Sequence, residues 1–448
     1  MAFIQMAKHK SAVCALDGGI LGQKQRDGSA LRIIILLGNI QNLCADHLRD
    51  VRQDLHETVR VILLIDIGNI LLLLALGLSG CGNAAPSVPE SNAPSTDSAQ
   101  TEVPEPTLEE RQLAAAKEYT ENLTLEEQVS QLFFARCPDV NAAGQAAEYS
   151  PGGFLLFGRD FDGKTANEVK SDIASYQSAA TTPMLIGADE EGGTVVRVSS
   201  NPLLRESRFA SPQRLYAEGG LDRIRSDSAE KDALLLSFGV NVNLAPVCDI
   251  SSDSASFIYP RTLGGDATET SDFVRTVVQQ MKTDRVGMVL KHFPGYGGTA
   301  DTHTGQAVDE RPLSAFQSCD LLPFEAGIDE GAQAVLVSHN IVTCMDTEYP
   351  ASLSSAVHEL LRGTLGFTGV VMTDDLAMNA VTDFTGAENA AVLAVKAGND
   401  MMISSDFVTQ RSAVLDAVQN GTLEKSDIEQ AAERVILWKI QLGLIPCD

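Results

Sequence analysis

Residues 287–305 read GMVLKHFPGYGGTADTHTG. The run Gly287–Lys291 is apolar until its last position. It lacks the polar–apolar alternation of a half-exposed strand and reads as a strand buried on both faces. Seven other segments share that character: Gln131–Arg136, Gly153–Phe157, Met184–Gly187, Val242–Pro246, Ala334–Ser338, Gly369–Thr373 and Asp400–Ile403. Stretches of helical period lie between most of them: Thr165–Ala179, Ser228–Phe238, Ser271–Thr283, Ser314–Glu330, Ala356–Leu365, Ala387–Ala397 and Phe407–Asn420. Eight buried strands with intervening helices predict an α/β fold, a (β/α)8 TIM-type barrel in a single catalytic domain. A doubly wound open sheet is the alternative. A last helix, Lys425–Leu442, is followed only by Gly443 and Leu444–Asp448, so no second C-terminal domain is expected.

A barrel presents its chemistry at the C-terminal ends of its strands. The polar residues there form a short set. Arg159 and Asp160 follow the second strand; Asp189, Glu190 and Glu191 the third; Asp249 and, further along its loop, Arg261 the fourth; Lys291, His292, Asp301 and His303 the fifth; His339 the sixth; Asp374 and Asp375 the seventh. Asp301 and His303 are two residues apart, a spacing that puts both side chains on one side of an extended loop. A carboxylate beside an imidazole orients the ring and favours its protonated form, which suits a general acid near neutral pH. The glycines make the loop pliable and admit close approach of backbone to a ligand. The loop lacks the G-K-[ST] ending of a phosphate-binding loop. Plainer roles exist for several of these residues. Asp374 or Asp375 could cap a following helix, Glu190 and Glu191 read as scaffold, His339 as a packed histidine and Arg159 as an ion-pair partner. Trp438 in the last helix reads as core.

The segment Lys291–His303 resembles the K-H-F-P-G-x-G…D-x-H signature of β-N-acetylhexosaminidases in glycoside hydrolase family 3, the NagZ-like branch. Further segments agree in order: Gly153–Gly158 (GFLLFG), Ile186–Arg197 (IGADEEGGTVVR), Asn243–Asp249 (NLAPVCD), Pro260-Arg261, Asp320–Phe324 (DLLPF), Pro350–Ser354 (PASLS) and Val371–Met378 (VMTDDLAM). The likeness spans roughly residues 125–445. It implies a retaining exo-glycosidase that removes terminal β-linked N-acetylglucosamine from peptidoglycan fragments or chitooligosaccharides through a covalent glycosyl-enzyme. Asp374 matches the nucleophile, His303 the acid/base and Asp301 its partner. Asp189, Arg261, Lys291 and His292 match positions that hold sugar hydroxyls. A His–Asp pair then stands where most retaining glycosidases use a second carboxylate. Tyr296 and Thr302 depart from the signature, which more usually has His and Ser there; a tyrosine can still hydrogen-bond or stack. No metal or cofactor is expected, because His303 activates the water. Three rivals remain: a β-glucosidase on the same barrel, a β-N-acetylglucosaminide phosphorylase, and a non-catalytic sugar-binding lipoprotein.

The formal net charge of −27 over 448 residues argues against nucleic acid, which needs a basic footprint. The 8 cysteines are scattered without C-x-x-C spacing, so neither a zinc site nor a disulfide framework is expected. Cys81 stands apart. Residues 61–78, VILLIDIGNILLLLALGL, end in Leu78-Ser79-Gly80-Cys81, which resembles a bacterial lipobox. The alternatives are a plain transmembrane anchor or a buried helix. Residues 1–81 therefore read as an extension with a signal segment, 82–107 as a Pro/Ser/Thr-rich tether, and 108–448 as the catalytic barrel. The expected setting is extracytoplasmic, in the cell envelope, with membrane contact only through the N-terminal lipid anchor. Oligomeric state is not legible. Cys81→Ala is expected to release or mislocalise the protein with its barrel activity intact, as read by cell fractionation. Retention in the membrane fraction would mark the apolar run as a spanning helix instead.

Overall fold

A computed structural model describes residues 105–298, 302, 307–385 and 389–447. The apolar run at 61–78, Cys81, most of the tether, Asp301 and His303 lie outside the described residues. Among the described residues, no helix is long and apolar enough to cross a membrane.

Eight strands close into a parallel barrel: β1 (Phe133–Arg136), β2 (Gly153–Leu156), β3 (Leu185–Ala188), β4 (Val242–Asn243), β5 (Gly287–Phe293), β6 (Ala334–Val337), β7 (Val370–Thr373) and β8 (Met401–Ser404). Each pairs with its neighbours in sequence, and β1 closes on β8 with Phe134 opposite Ile403. The barrel is the expected one, and the open sheet is excluded. Each strand is found where an apolar run was read, with ends moved by one to three residues. The fourth is short because Pro246, with no N–H, cannot continue the ladder as a donor.

Alternation within each strand builds two layers. Phe134, Leu155, Leu185, Val289, Leu336, Met372 and Ile403 fill the lumen, and Trp438 of the last helix packs into the same cluster. Phe133, Ala135, Phe154, Leu156 and Ile186 face outward into the helical ring. The lumen is tight. A Cβ on Gly187 would meet Phe134 at 2.4 Å, so this strand position has room only for glycine.

The helices unread in the sequence include Leu108–Glu121, Leu125–Gln131 and Ala142–Tyr149. The first two begin with the same tetrapeptide, Thr-Leu-Glu-Glu, and each forms a capping box, Thr107 with Glu110 and Thr124 with Glu127. The helix expected at Ser228–Phe238 runs back to Pro212, interrupted by non-helical backbone at Gly219 and Gly220. A separate parallel pair, Val308–Asp309 with Ile341–Val342, sits outside the barrel.

Below the barrel, Lys439 is 0% exposed and donates to Gln131 Oε1 at 2.5 Å. Burial alone lowers its pKa from the ordinary 10.5 to about 7. Between those values the unfolded chain binds the proton that the folded chain has released. Stability is therefore expected to rise with pH from about 7 to 10.5. The slope is at most about 1.4 kcal/mol per pH unit. Urea melts of Lys439→Met across this window should lose that slope; identical pH dependences in the two proteins would refute the assignment.

Candidate active site

The C-terminal strand ends converge on a cleft of about 340 Å³ lined by Asp189, Arg261, Lys291, His292 and Asp374, with Asp375, Arg136, Arg197, Phe157 and Met378. Its floor is apolar: Leu155, Leu244, Leu336 and Ile403 belong at once to the lumen core and to the cleft lining.

One carboxylate organises the binding wall. Glu191, buried behind the third strand, accepts Lys291 Nζ at 2.6 Å on Oε1. It also accepts Arg261 in a two-point contact, Nε at 2.9 Å and the terminal nitrogen at 2.7 Å. Lys291 Nζ makes a second bond to Asp189 Oδ1 at 2.7 Å, and Arg197 approaches the other oxygen of Asp189 at 3.5 Å. Burial by itself would raise the pKa of Glu191, but Arg261 and Lys291 outweigh it and hold the carboxyl well below the usual carboxylate range. Glu190 turns the other way. It accepts the backbone N–H groups of Arg197 and Val198 at 2.9 and 2.8 Å, together with the Ser199 hydroxyl, and so fixes the loop that carries Arg197. Both glutamates are scaffold, as the sequence reading had them.

A second chain of bonds sets His292. Asp249 Oδ2 accepts the His292 backbone N–H at 3.1 Å and lies 2.7 Å from Nδ1; its Oδ1 accepts the Tyr296 N–H at 2.8 Å. Arg261 is 3.0 Å from Nε2. A guanidinium only donates, so Nε2 accepts and the ring proton sits on Nδ1, shared with Asp249. Both ring nitrogens are thus engaged within the protein. Asp249, noted in the sequence without a role, is the residue that orients this histidine.

Another part of the cleft lining comes from the end of β7. Asp374 follows Thr373, its backbone N–H bonded to Val337 O at 3.2 Å, and its Oδ1 accepts the Asp375 N–H at 2.8 Å. Asp375 accepts the Ala377 N–H at 3.0 Å, the Ser405 N–H at 3.2 Å and the Ser405 hydroxyl, tying the seventh and eighth loops together. His339 packs behind them, 2.7 Å from Ser352 Oγ and 3.2 Å from the Asp375 carbonyl, with its pKa lowered by burial.

The loop after β5 differs from its sequence reading in one respect. Gly295 (φ 117°) and Gly297 (φ 55°) take left-handed backbone. A Cβ there would strike Asp320 at 2.8 Å and Arg311 at 2.4 Å. These two glycines serve close packing onto the Asp309–Arg311–Asp320 ion pairs more than pliability. Tyr296 between them is 2% exposed; its ring lies 5.1 Å from that of His292, and its hydroxyl is 2.8 Å from Thr302 Oγ1. Burial, and then the nearby charge of Asp374, raise its pKa and keep the phenol protonated. Thr302, which separates Asp301 from His303 in the sequence, is 0% exposed.

The cleft also holds two arginines that sequence reasoning did not single out. Arg136 is the last residue of β1, so the strand-end criterion would have found it. Arg197 was quoted only as part of a motif. Arg159, by contrast, is spent outside the cleft on Asp139 and the Cys137 carbonyl.

A closed parallel barrel whose strand ends gather carboxylates and cations over an apolar floor has the layout of a carbohydrate-active enzyme. The model described as the glycosyl hydrolase family 3 N terminal domain matches residues 124–437, and the chain belongs to that family. A protein named beta-hexosaminidase from Xanthomonas campestris pv. campestris (strain B100) is 34% identical over 254 residues, covering 56% of this chain and 76% of that protein. The structure of a family 3 β-N-acetylglucosaminidase from Paenibacillus sp. str. FPU-7 superposes with a TM-score of 0.67 at 30% identity; it covers 72% of this chain, which spans 63% of that one, a little under two thirds. A β-N-acetylhexosaminidase from Beutenbergia cavernae DSM 12333 gives 0.63 at 27% identity, with 70% and 98% covered.

Glu191→Gln keeps the shape but leaves two buried cations short of a counter-charge. It is expected to cost about 3 kcal/mol or more in urea unfolding at neutral pH. Because the folded pKa is depressed, the wild-type advantage is present above 4.5 and shrinks as pH falls below it. A gap between the two proteins that stays constant with pH would contradict this account.

Proposed function

We infer that this family 3 glycoside hydrolase is a retaining, exo-acting β-N-acetylhexosaminidase that releases terminal β-linked N-acetylglucosamine. The observation that carries the reading is the meeting of Asp374 with Asp189, Arg261, Lys291 and His292 in one sugar-sized cleft. The hexosaminidase named above as 34% identical supports the choice of sugar. In this reading Asp374 attacks the anomeric carbon and forms a covalent glycosyl-enzyme, while His303 protonates the departing oxygen. His303 then takes a proton from the water that attacks the same carbon and frees Asp374. Asp301 orients His303. Thr302, buried against Tyr296 beside His292, supports a role for its two sequence neighbours at this cleft. Lys291, Arg261 and Asp189 hold ring hydroxyls, and the apolar floor takes a face of the ring. Peptidoglycan fragments and chitooligosaccharides are the proposed substrates. The lipobox-like segment ending in Cys81 supports an envelope-anchored setting for them.

The test is hydrolysis of an aryl N-acetyl-β-glucosaminide by the full chain, with the anomer of the first product followed by NMR. Turnover with the β-anomer appearing first is expected. His303→Ala should lose about 10²–10⁴-fold in rate, and Asp374→Ala should lose turnover while still binding the sugar. Cleavage of aryl glucoside without N-acetylglucosaminide, or sugar 1-phosphate as the product when phosphate is present, would overturn the reading.

A further inference from the structure

Arg136 is a cation in the cleft with no acid to pair with among the described residues. It ends β1, and β1 stands four strands from β5 in either direction around the barrel, so it faces the wall of Lys291 and His292. The other cations of that lining are committed: Lys291 and Arg261 to Glu191 and Asp189, Arg197 more loosely to Asp189. Among the described residues no carboxylate comes within 4.0 Å of Arg136. Asp160, on which Arg136 acts only through longer-range charge, already accepts the Phe157 N–H at 2.7 Å and lies 3.8 Å from Arg159. The guanidinium of Arg136 instead sits 4.4 Å from the centre of the Phe157 ring, against which Arg197 also lies, at 5.6 Å. Both arginines have a buried Nε with no hydrogen-bond partner. Two guanidinium groups held against one ring in the cleft lining, one of them without a carboxylate partner among the described residues, form an arrangement that an anion completes.

We propose that Arg136, backed by Arg197, is a specificity-determining residue that receives an acidic substituent, such as a sulfate or phosphate ester, on the terminal sugar away from its anomeric carbon. The substrate class is then an acidic N-acetylhexosaminide, and this deepens the function proposed above and rests on it. The exocyclic oxygen at C6 is the sugar's one hydroxyl on a rotatable arm, which makes it the natural carrier of the group.

The experiment compares aryl N-acetyl-β-glucosaminide with its 6-O-sulfo derivative on the full chain. Calorimetric binding of N-acetylglucosamine and N-acetylglucosamine 6-sulfate runs in parallel. The sulfated substrate is expected to show the higher kcat/KM, by about ten- to hundredfold. Arg136→Met should abolish that ratio and Arg136→Lys should keep part of it, a graded loss that a merely structural role would not produce. Equal loss on both substrates in Arg136→Met, or no preference in the parent, overturns the proposal. Should neither glycoside be cleaved, the hexosaminidase reading fails. Calorimetry then still decides: tighter binding of the 6-sulfate that depends on Arg136 sustains the anion site, and its absence refutes it.

Discussion

The cleft depends on a single buried carboxylate shared by a buried lysine and a mostly buried arginine. Lys291 and most of the Arg261 side chain leave water when the barrel closes, and a buried charge without a counter-charge is strongly destabilising. Glu191 supplies that counter-charge to both, and in doing so joins the ends of three consecutive strands. It stands after β3, Arg261 in the loop after β4, and Lys291 near the end of β5. From that joint the order spreads. Lys291 orients Asp189, Arg261 assigns the proton on His292, and Asp249 anchors both His292 and the Tyr296 backbone. Charges held this firmly before a ligand arrives need not reorganise when it does, which is the condition for strong electrostatic help in a reaction.

The lumen core sets the depth of the site. Phe134 demands a bare backbone at Gly187, and the layer above it, from Leu155, Leu244, Leu336 and Ile403, becomes the cleft floor. Packing and recognition therefore share residues. A large-to-small change in that layer would alter barrel stability and cleft shape together, whereas changes among the loop-borne charges touch the site with the core left in place. The division explains why the chemistry can be apportioned by strand end. The Asp189–Glu191–Arg261–Lys291 cluster comes from the ends of β3 to β5, Asp374 comes from β7, and the loose cations come from β1 and the third loop.

What the sequence displayed and what it hid follow the same physics. Strands buried on both faces leave unbroken apolar runs, so all eight were legible. The helix from Pro212 was half hidden because Gly219 and Gly220 break its period. Leu108–Glu121 was hidden by its neighbour in sequence, since a polar tether leads straight into it; its Thr-Leu-Glu-Glu start was nonetheless a readable capping signal. In the site, residues with charge at a strand end could be named one by one. Their partners could not, because the Glu191 contacts span 70 residues to Arg261 and arise only on folding. The glycines of the fifth loop were visible, but their purpose was not: whether a glycine loosens a loop or lets it pack depends on Arg311 and Asp320, which lie beyond it in the chain.

Tyr296 and Thr302 show why the two departures from the family signature belong together. Each alone looks like a loss, a tyrosine where an imidazole is usual and a branched hydroxyl where a smaller one is usual. In the structure they meet at 2.8 Å, hydroxyl to hydroxyl, with the tyrosine ring packed edge-on against Phe257 and tilted over His292. The phenol spans from His292 to the residue lying between Asp301 and His303 in the chain. Its pKa, raised by burial and by Asp374, leaves it a neutral donor and acceptor rather than a second charge near Asp374. The tyrosine side chain thus reaches a hydroxyl further along its own loop, and the pair braces the loop from within beside His292.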